Sequence, residues 1–285
     1  EIIMAIRFLT DSTADILPQE AAQRDIDVVP LKVLFGETAY RDGIDLDHPT
    51  FYQMLSQSKA LPTTSQPTPD DFLPYFERAR DQGDHLICAL LSSQLSGTVQ
   101  SAQIAREMCG YEHIYIIDST LAIVALRAML DLGEQLRSQG MSAPDIAAQI
   151  EAAKSRMRVF GIVDTLEYLH KGGRMSTSVA VVGSLLRVKP IITLKDGVLG
   201  LVGKGVGTKG SLAGMLKQVG DDIHPDPRLP IYYGYSGDDT LCRQFVPLME
   251  EKFGPHGQEI RSIGCVIGTH LGPNAAVVAY LEQDK

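Results

Sequence analysis

Positive charge is in short supply in this sequence. Over 285 residues, 26 Lys and Arg stand against 35 Asp and Glu, a formal net charge of −9. A protein that grips nucleic acid through its phosphates usually carries a basic face. The balance therefore argues against DNA or RNA as partners, and it gives no general attraction to anionic membranes. Cysteine is scarce as well. Cys88, Cys109, Cys242 and Cys265 lie far apart with no Cys-x-x-Cys pair. That argues against a disulfide framework or a zinc site and fits a reducing, cytoplasmic compartment. Long apolar runs are missing. The longest, Leu121 to Leu130, is interrupted by Arg127 and is far too short to span a bilayer. No secretory signal is read at the start, where Arg7 breaks a short apolar run. Met4 is a candidate native start, which would make residues 1–3 an addition.

What is present is an ordinary globular composition, 44% hydrophobic and 21% charged, long enough for two domains or one large one. The first half alternates strand and helix. Ile6 to Thr10, Val28 to Phe35, His85 to Leu91 and Ile114 to Ile117 read as buried strands. Helices are expected from Pro18 to about Arg24, Asp70 to Asp81, Gly97 to Met108 and Leu121 to Gln139. Another helix begins after Ser142 and carries Ile146, Ile150, Ala153 and Met157 on one face. Residues 36–60 form a polar excursion with a helix near 49–56, and Pro62 to Pro69 reads as a loop. This alternation predicts a parallel sheet covered by helices, with ligands at the carboxyl ends of its strands.

The second half reads as a mixed-sheet α+β unit. Strands are expected at Phe160 to Val163, Ile191 to Leu194, Val198 to Val202, Ile231 to Tyr235, Gly264 to Ile267 and Ala276 to Tyr280. Asp196-Gly197 signals a hairpin. Helices are expected near Thr165 to Lys171, Ser178 to Leu186, Ser211 to Val219 and Asp239 to Phe253, the last with Pro247 inside it. The predicted fold class is α/β with two domains, 1–157 and 158–285.

Several loops carry candidate chemistry. Thr64-Ser65-Gln66-Pro67-Thr68 precedes a helix; its hydroxyls read first as a cap and a turn, and second as an anion cradle at the helix start. Ser92 to Thr98 lies between a strand and a helix, with Ser96 and Gly97 placed as in a phosphate or carboxylate loop. It lacks the Gly-Lys-Ser/Thr ending of a P-loop and the Gly-x-Ser-x-Gly of a nucleophile elbow. Lys171 to Ser176 is a basic turn, either a plain helix cap or a place for a phosphate or a partner. Gly205 to Gly210 spells Gly-x-Gly-x-x-Gly but lacks a βαβ setting and the following acidic residue. His270 sits in a glycine-framed loop, and no other histidine has a partner at metal-ligand spacing.

Together these motifs are more specific than any one of them. In order along nearly the whole chain, they are Asp11-Ser12-Thr13-Ala14-Asp15, Thr64-Ser65-Gln66-Pro67, Ser92 through Ala102, and Asp118-Ser119. They continue with Leu166-Glu167 and Lys171 to Ser176, Lys189-Pro190-Ile191, and Gly268-Thr269-His270 with Gly272-Pro273. In this the chain resembles the DegV family of bacterial fatty-acid-binding proteins. The resemblance implies two α/β domains with a long-chain fatty acid buried between them and no other cofactor. It implies that Thr64, Ser96 and the Gly97 backbone hold the carboxyl group, with His270 beside them. It also implies a non-catalytic carrier that presents the acid to a separate fatty acid kinase, with Arg174 as a candidate docking residue. Two departures stand out. Ile123, Ala125 and Arg127 occupy a stretch where the family tends to small residues and glycines. Val206 replaces the arginine of the family's Lys-x-Arg-Gly stretch. Two competing readings are a serine hydrolase using Ser96 and His270, with Asp11 or Asp118 orienting the histidine, and a nucleotide-binding regulator using residues 203–210.

Overall fold

The computed structural model describes residues 4–175 and 187–284. The first half comprises β1 (Ile6–Asp11), α1 (Pro18–Arg24), β2 (Ile26–Val29), β3 (Lys32–Phe35), β4 (Thr38–Arg41) and α2 (His48–Gln57). It continues with β5 (Thr63–Ser65), α3 (Pro69–Gln82), β6 (His85–Leu90), α4 (Thr98–Cys109), β7 (Ile114–Asp118), α5 (Ile123–Ser138) and α6 (Ala143–Ala153). The second half comprises β8 (Met157–Ile162), α7 (Glu167–Lys171), β9 (Val188–Lys195), β10 (Val198–Val206), α8 (Gly207–Val219) and β11 (Ile231–Tyr235). It ends with α9 (Thr240–Phe253), β12 (Gln258–Ser262), α10 (Cys265–Leu271) and β13 (Ala276–Leu281).

The near-continuous apolar runs of β1 and β6 are buried on both faces, as parallel strands covered by helices must be. Alternate residues enter different cores: Phe8 and Ile87 face α5, whereas Leu9, Leu86 and Cys88 pack with Phe72 and Phe76 of α3. The resulting sheet, β2-β1-β6-β7, is wholly parallel. The second sheet runs β10-β9-β8-β13-β11-β12 and is antiparallel except for the β11–β12 pair. One face of it carries α8 and α9; the other meets the first half.

α5 explains how the halves join. From Ile123 to Leu130 α5 is buried all round and offers no solvent face, and the helix touches β1 and β6 on one side and β11 and β13 on the other. Its one charge within the apolar run, Arg127, is 3% exposed and pairs with Glu20 of the first half, with Glu259 of the second half 3.4 Å away.

Several expectations are corrected. Pro30 splits the predicted strand 28–35 into β2 and β3, because proline cannot donate to a ladder. β3 then turns into the polar excursion and forms the small antiparallel sheet β4-β3-β5, so the predicted 62–69 loop contains a strand. Gly264 to Ile267 is not a strand but the start of α10, and the polar edge strand β12 lies just before it. Met157 opens β8 rather than ending α6. The Asp196-Gly197 hairpin forms as expected, with φ of 51° and 83°. Pro247 lies within α9, which continues through it. The helix expected at Ser178 to Leu186 lies outside the described residues.

Candidate ligand-binding site

β6 ends at Leu90, and the loop after it leads through Ser96 and Gly97 into α4. β5 pairs antiparallel with β3, opposing Thr64 to Val33 and bringing it toward the second half. From there α10 presents His270. Thr64 Oγ1 lies 2.8 Å from His270 Nε2. Burial, and secondarily the charge of Arg174, pushes His270 down to about 4, so the imidazole is neutral near pH 7. Among the described residues its Nδ1 has no partner; a Cβ on Gly172 would stand 2.3 Å from it. A proton on Nδ1 would be a buried donor without an acceptor. With the proton on Nε2, the imidazole donates to Thr64 Oγ1. In that tautomer the Thr64 O–H is left to donate to a ligand.

Ser96 Oγ lies 2.9 Å from Thr98 Oγ1. The Gly97 N–H donates to Gln66 Oε1 at 3.1 Å, and Gln66 Nε2 donates to Ser101 Oγ at 3.3 Å. Gln66 thus ties the Thr64 strand to the Ser96 loop. A Cβ on Gly97 would lie 2.2 Å from the Gln66 amide oxygen, so a side chain there would push the Gln66 amide off the Gly97 N–H. Gln66 belongs to the Thr-Ser-Gln-Pro motif, but its tie to Gly97 does not follow from the sequence.

Arg174 does not project as a free basic turn. Its Nε donates to Leu95 O at 3.2 Å and its Nη1 to Gly172 O at 2.7 Å, and the residue lines the same cavity as Thr64, Ser96 and His270. That cavity measures about 330 Å³, within the usual range for small-molecule sites. Leu31, Leu91 and Ile123 wall it from the first half, and Val159, Ile192 and Val277 from the second. Ile123 has φ of 51°, a conformation that strongly disfavours a β-branched residue. The position where glycine or a small residue was expected instead bears backbone strain on the order of 1–3 kcal/mol and supplies a wall of the cavity.

Behind α10 lies a buried polar cluster that no single sequence motif brings together. Asp15 Oδ1 accepts from Gly264 N–H at 2.9 Å; Asp42 accepts from Cys265 N–H at 2.9 Å and from Val266 N–H at 3.3 Å. Burial raises both carboxyls, Asp15 well above its ordinary range, with the neighbouring Asp42 adding to the shift. Tyr52 OH donates to Ile263 O at 2.7 Å. The first half therefore grips the leading end of α10, whose other end carries His270.

The hydrolase relay is not assembled. His270 Nε2 meets Thr64 and Ser96 meets Thr98. Asp11 accepts from Thr13 and Leu91, and Asp118 from Ser93 and Thr120. The Gly-x-Gly-x-x-Gly segment ends β10, whose ladder is with antiparallel β9, and starts α8. A Cβ on Gly205 would stand 2.3 Å from Ser211 Cα, so close strand–helix packing accounts for that glycine. Val206 is 65% exposed.

The comparisons with known proteins agree with this architecture. A family model described as "Uncharacterised protein, DegV family" matches residues 5–283. A DegV domain-containing protein of Caldanaerobacter subterraneus is 32% identical over 285 residues, spanning 98% of this chain and 99% of the relative. The solved structure of a DegV family protein from Thermus thermophilus, described by its fatty acid binding, aligns with a TM-score of 0.87 at 30% identity, over 98% of this chain and 100% of that one. DegV of Bacillus subtilis, described as a fatty acid binding protein, aligns with a TM-score of 0.83 at 31% identity, over 98% and 100%. In sequence and in fold, over almost its whole length, this chain belongs to the DegV family.

Proposed function

We propose that this protein binds a single long-chain fatty acid between two domains that divide near residue 157, and that it holds the acid without transforming it. The observation that carries the reading is one cavity with two chemistries: hydroxyls, an imidazole and a guanidinium line part of it, and aliphatic side chains from both halves line the rest. Burying each methylene contributes about 0.8 kcal/mol, so a chain of a dozen or more gains on the order of 10 kcal/mol before the entropy of association is subtracted. Affinity then resides in the tail, and the polar groups set orientation and depth. In this reading the free Thr64 hydroxyl and Ser96 donate to the carboxyl group. Arg174 lends a positive field while its own N–H groups remain partly engaged by Leu95 and Gly172 carbonyls. The fatty-acid-binding descriptions of the Thermus and Bacillus relatives support it.

A cytoplasmic carrier of this kind would hand its acid to a partner, and the family resemblance points to a fatty acid kinase. Val206 in place of the family arginine leaves Arg174 as the retained basic residue, and Arg174 faces the cavity rather than serving only as a docking point. Native mass spectrometry of the purified protein, followed by organic extraction, tests the proposal. One fatty acid per chain is the expected result; a protein that carries no lipid and takes up none when offered oleate defeats it. Ser96 is expected to resist labelling by a fluorophosphonate, and stoichiometric labelling would favour the hydrolase reading instead.

A further inference from the structure

The second sheet offers the cavity a face of alternating residues. Along β8, Met157 and Val159 turn toward the first half, whereas Phe160 and Ile162 join the core beneath α8 and α9. Gly161 follows in the cavity-facing series and lines the cavity. Its partners across the ladder are Ile192 on β9 and Val277 on β13, both also lining the cavity. The result is a bare position between two β-branched neighbours, in a strand paired on both sides.

Nothing local requires glycine there. Gly161 is absent from the left-handed backbone positions and lies within an ordinary strand. A Cβ would meet Val277 Cγ2 at 3.1 Å and Ile192 Cγ1 and Ala276 O at 3.6 Å, a fit that asks the Val277 side chain to yield by a few tenths of an ångström. Glycine inside a strand weakens it through backbone entropy and lost packing. What it leaves in return is a stretch of cavity lining with no side chain on it.

Resting on the fatty-acid reading above, we propose that Gly161 is a specificity-determining residue: its missing side chain provides the room that admits a long acyl tail across β8. A side chain at 161 displaces the methylenes that cross this floor, so the acids it excludes are the longer ones. Val277 and Ile192 fix the width of the same passage.

The test compares wild type, Gly161→Ala, Gly161→Val and the double variant Gly161→Ala/Val277→Ala, titrated with decanoate and oleate after lipid removal. Thermal unfolding of the lipid-free proteins is run in parallel. The oleate-to-decanoate affinity ratio is expected to fall from wild type to Ala to Val, by roughly fourfold for each methylene displaced. The double variant, which removes the atom nearest the new Cβ, is expected to recover most of the ratio lost in Gly161→Ala. An unchanged ratio in folded Gly161→Ala and Gly161→Val overturns the proposal, as does an equal loss for both acids. Should Gly161→Val not fold, Gly161→Ala and its double variant decide the matter. If wild type binds neither acid, the fatty-acid reading itself fails; if wild type binds oleate and the variants keep its ratio, only the role of Gly161 fails.

Discussion

The two halves meet one cavity with different means. The first half brings a loop from the carboxyl end of a parallel strand and the edge strand β5 of a small side sheet with the residue after it, and these carry hydroxyls and an amide: Ser96, Thr64 and Gln66. The second half brings a pleated apolar floor, Val159, Gly161, Ile192 and Val277, and one short helix that delivers His270. Loops place hydrogen-bonding groups in fixed directions; a sheet face supplies non-directional contact. The division teaches that the polar and apolar linings of the cavity come from different kinds of element, which on the proposed reading would separate recognition of the head from accommodation of the tail, and that α10 is where the halves depend on each other.

The largest effect should come from breaking that dependence. Asp42→Ala leaves the buried Cys265 and Val266 N–H groups without their acceptor. A loss of about 2–4 kcal/mol is expected, measured by denaturant unfolding, with weakened oleate binding through displacement of His270. A variant as stable as wild type would mean that α10 is held by packing alone.

Next is an acid-side effect from His270. Its folded-state value, about 4, lies below the unfolded value near 6.5, so between these the unfolded chain binds more protons. The contribution is therefore present above pH 6.5 and lost as pH falls toward 4, by up to about 3 kcal/mol. His270→Gln should flatten this part of the stability profile. The raised Asp15 acts with the opposite sign, favouring the fold at low pH and losing that contribution as pH rises through its folded value. An unaltered acid slope in His270→Gln would assign the slope to other groups.

The smallest effect sharpens the separation of head from tail. Thr64→Val removes one hydroxyl from the polar end, so oleate affinity should fall by only about 1 kcal/mol, read by calorimetry. Acyl transfer to a kinase, which needs the carboxyl group in register, should fall further. Equal losses in binding and transfer would contradict a purely orienting role.

Much of this was legible in the residues, for identifiable reasons. Strands such as β1, β6 and β13 announce themselves because burial on both faces demands near-continuous apolar runs. The hydroxyl-rich segments at Thr64 and Ser96 were legible as places to look, because hydroxyls before a helix serve either as caps or as an anion cradle, but the residues alone do not choose between the two. α10 was not. Gly264-Cys265-Val266-Ile267 reads as a buried strand by periodicity, and its helical start depends on carboxylates 249 and 223 residues earlier in the chain. Gln66 escaped for the same reason, since its function is a contact with Gly97 across 31 residues. Arg174 reads from the sequence as basic but not as a cavity residue, because the carbonyl of Leu95 that it bonds lies 79 residues away. Ile123 marks the reverse case: a departure noticed in the sequence acquires its meaning only from a backbone angle.

The central claim is most directly tested by nuclear magnetic resonance of bound oleate carrying an isotope label at its carboxyl carbon. A single bound resonance is predicted, distinct from free acid and displaced in both Thr64→Val and Ser96→Ala, while the variants still bind. A bound resonance indifferent to both substitutions would place the acid head elsewhere and contradict the account.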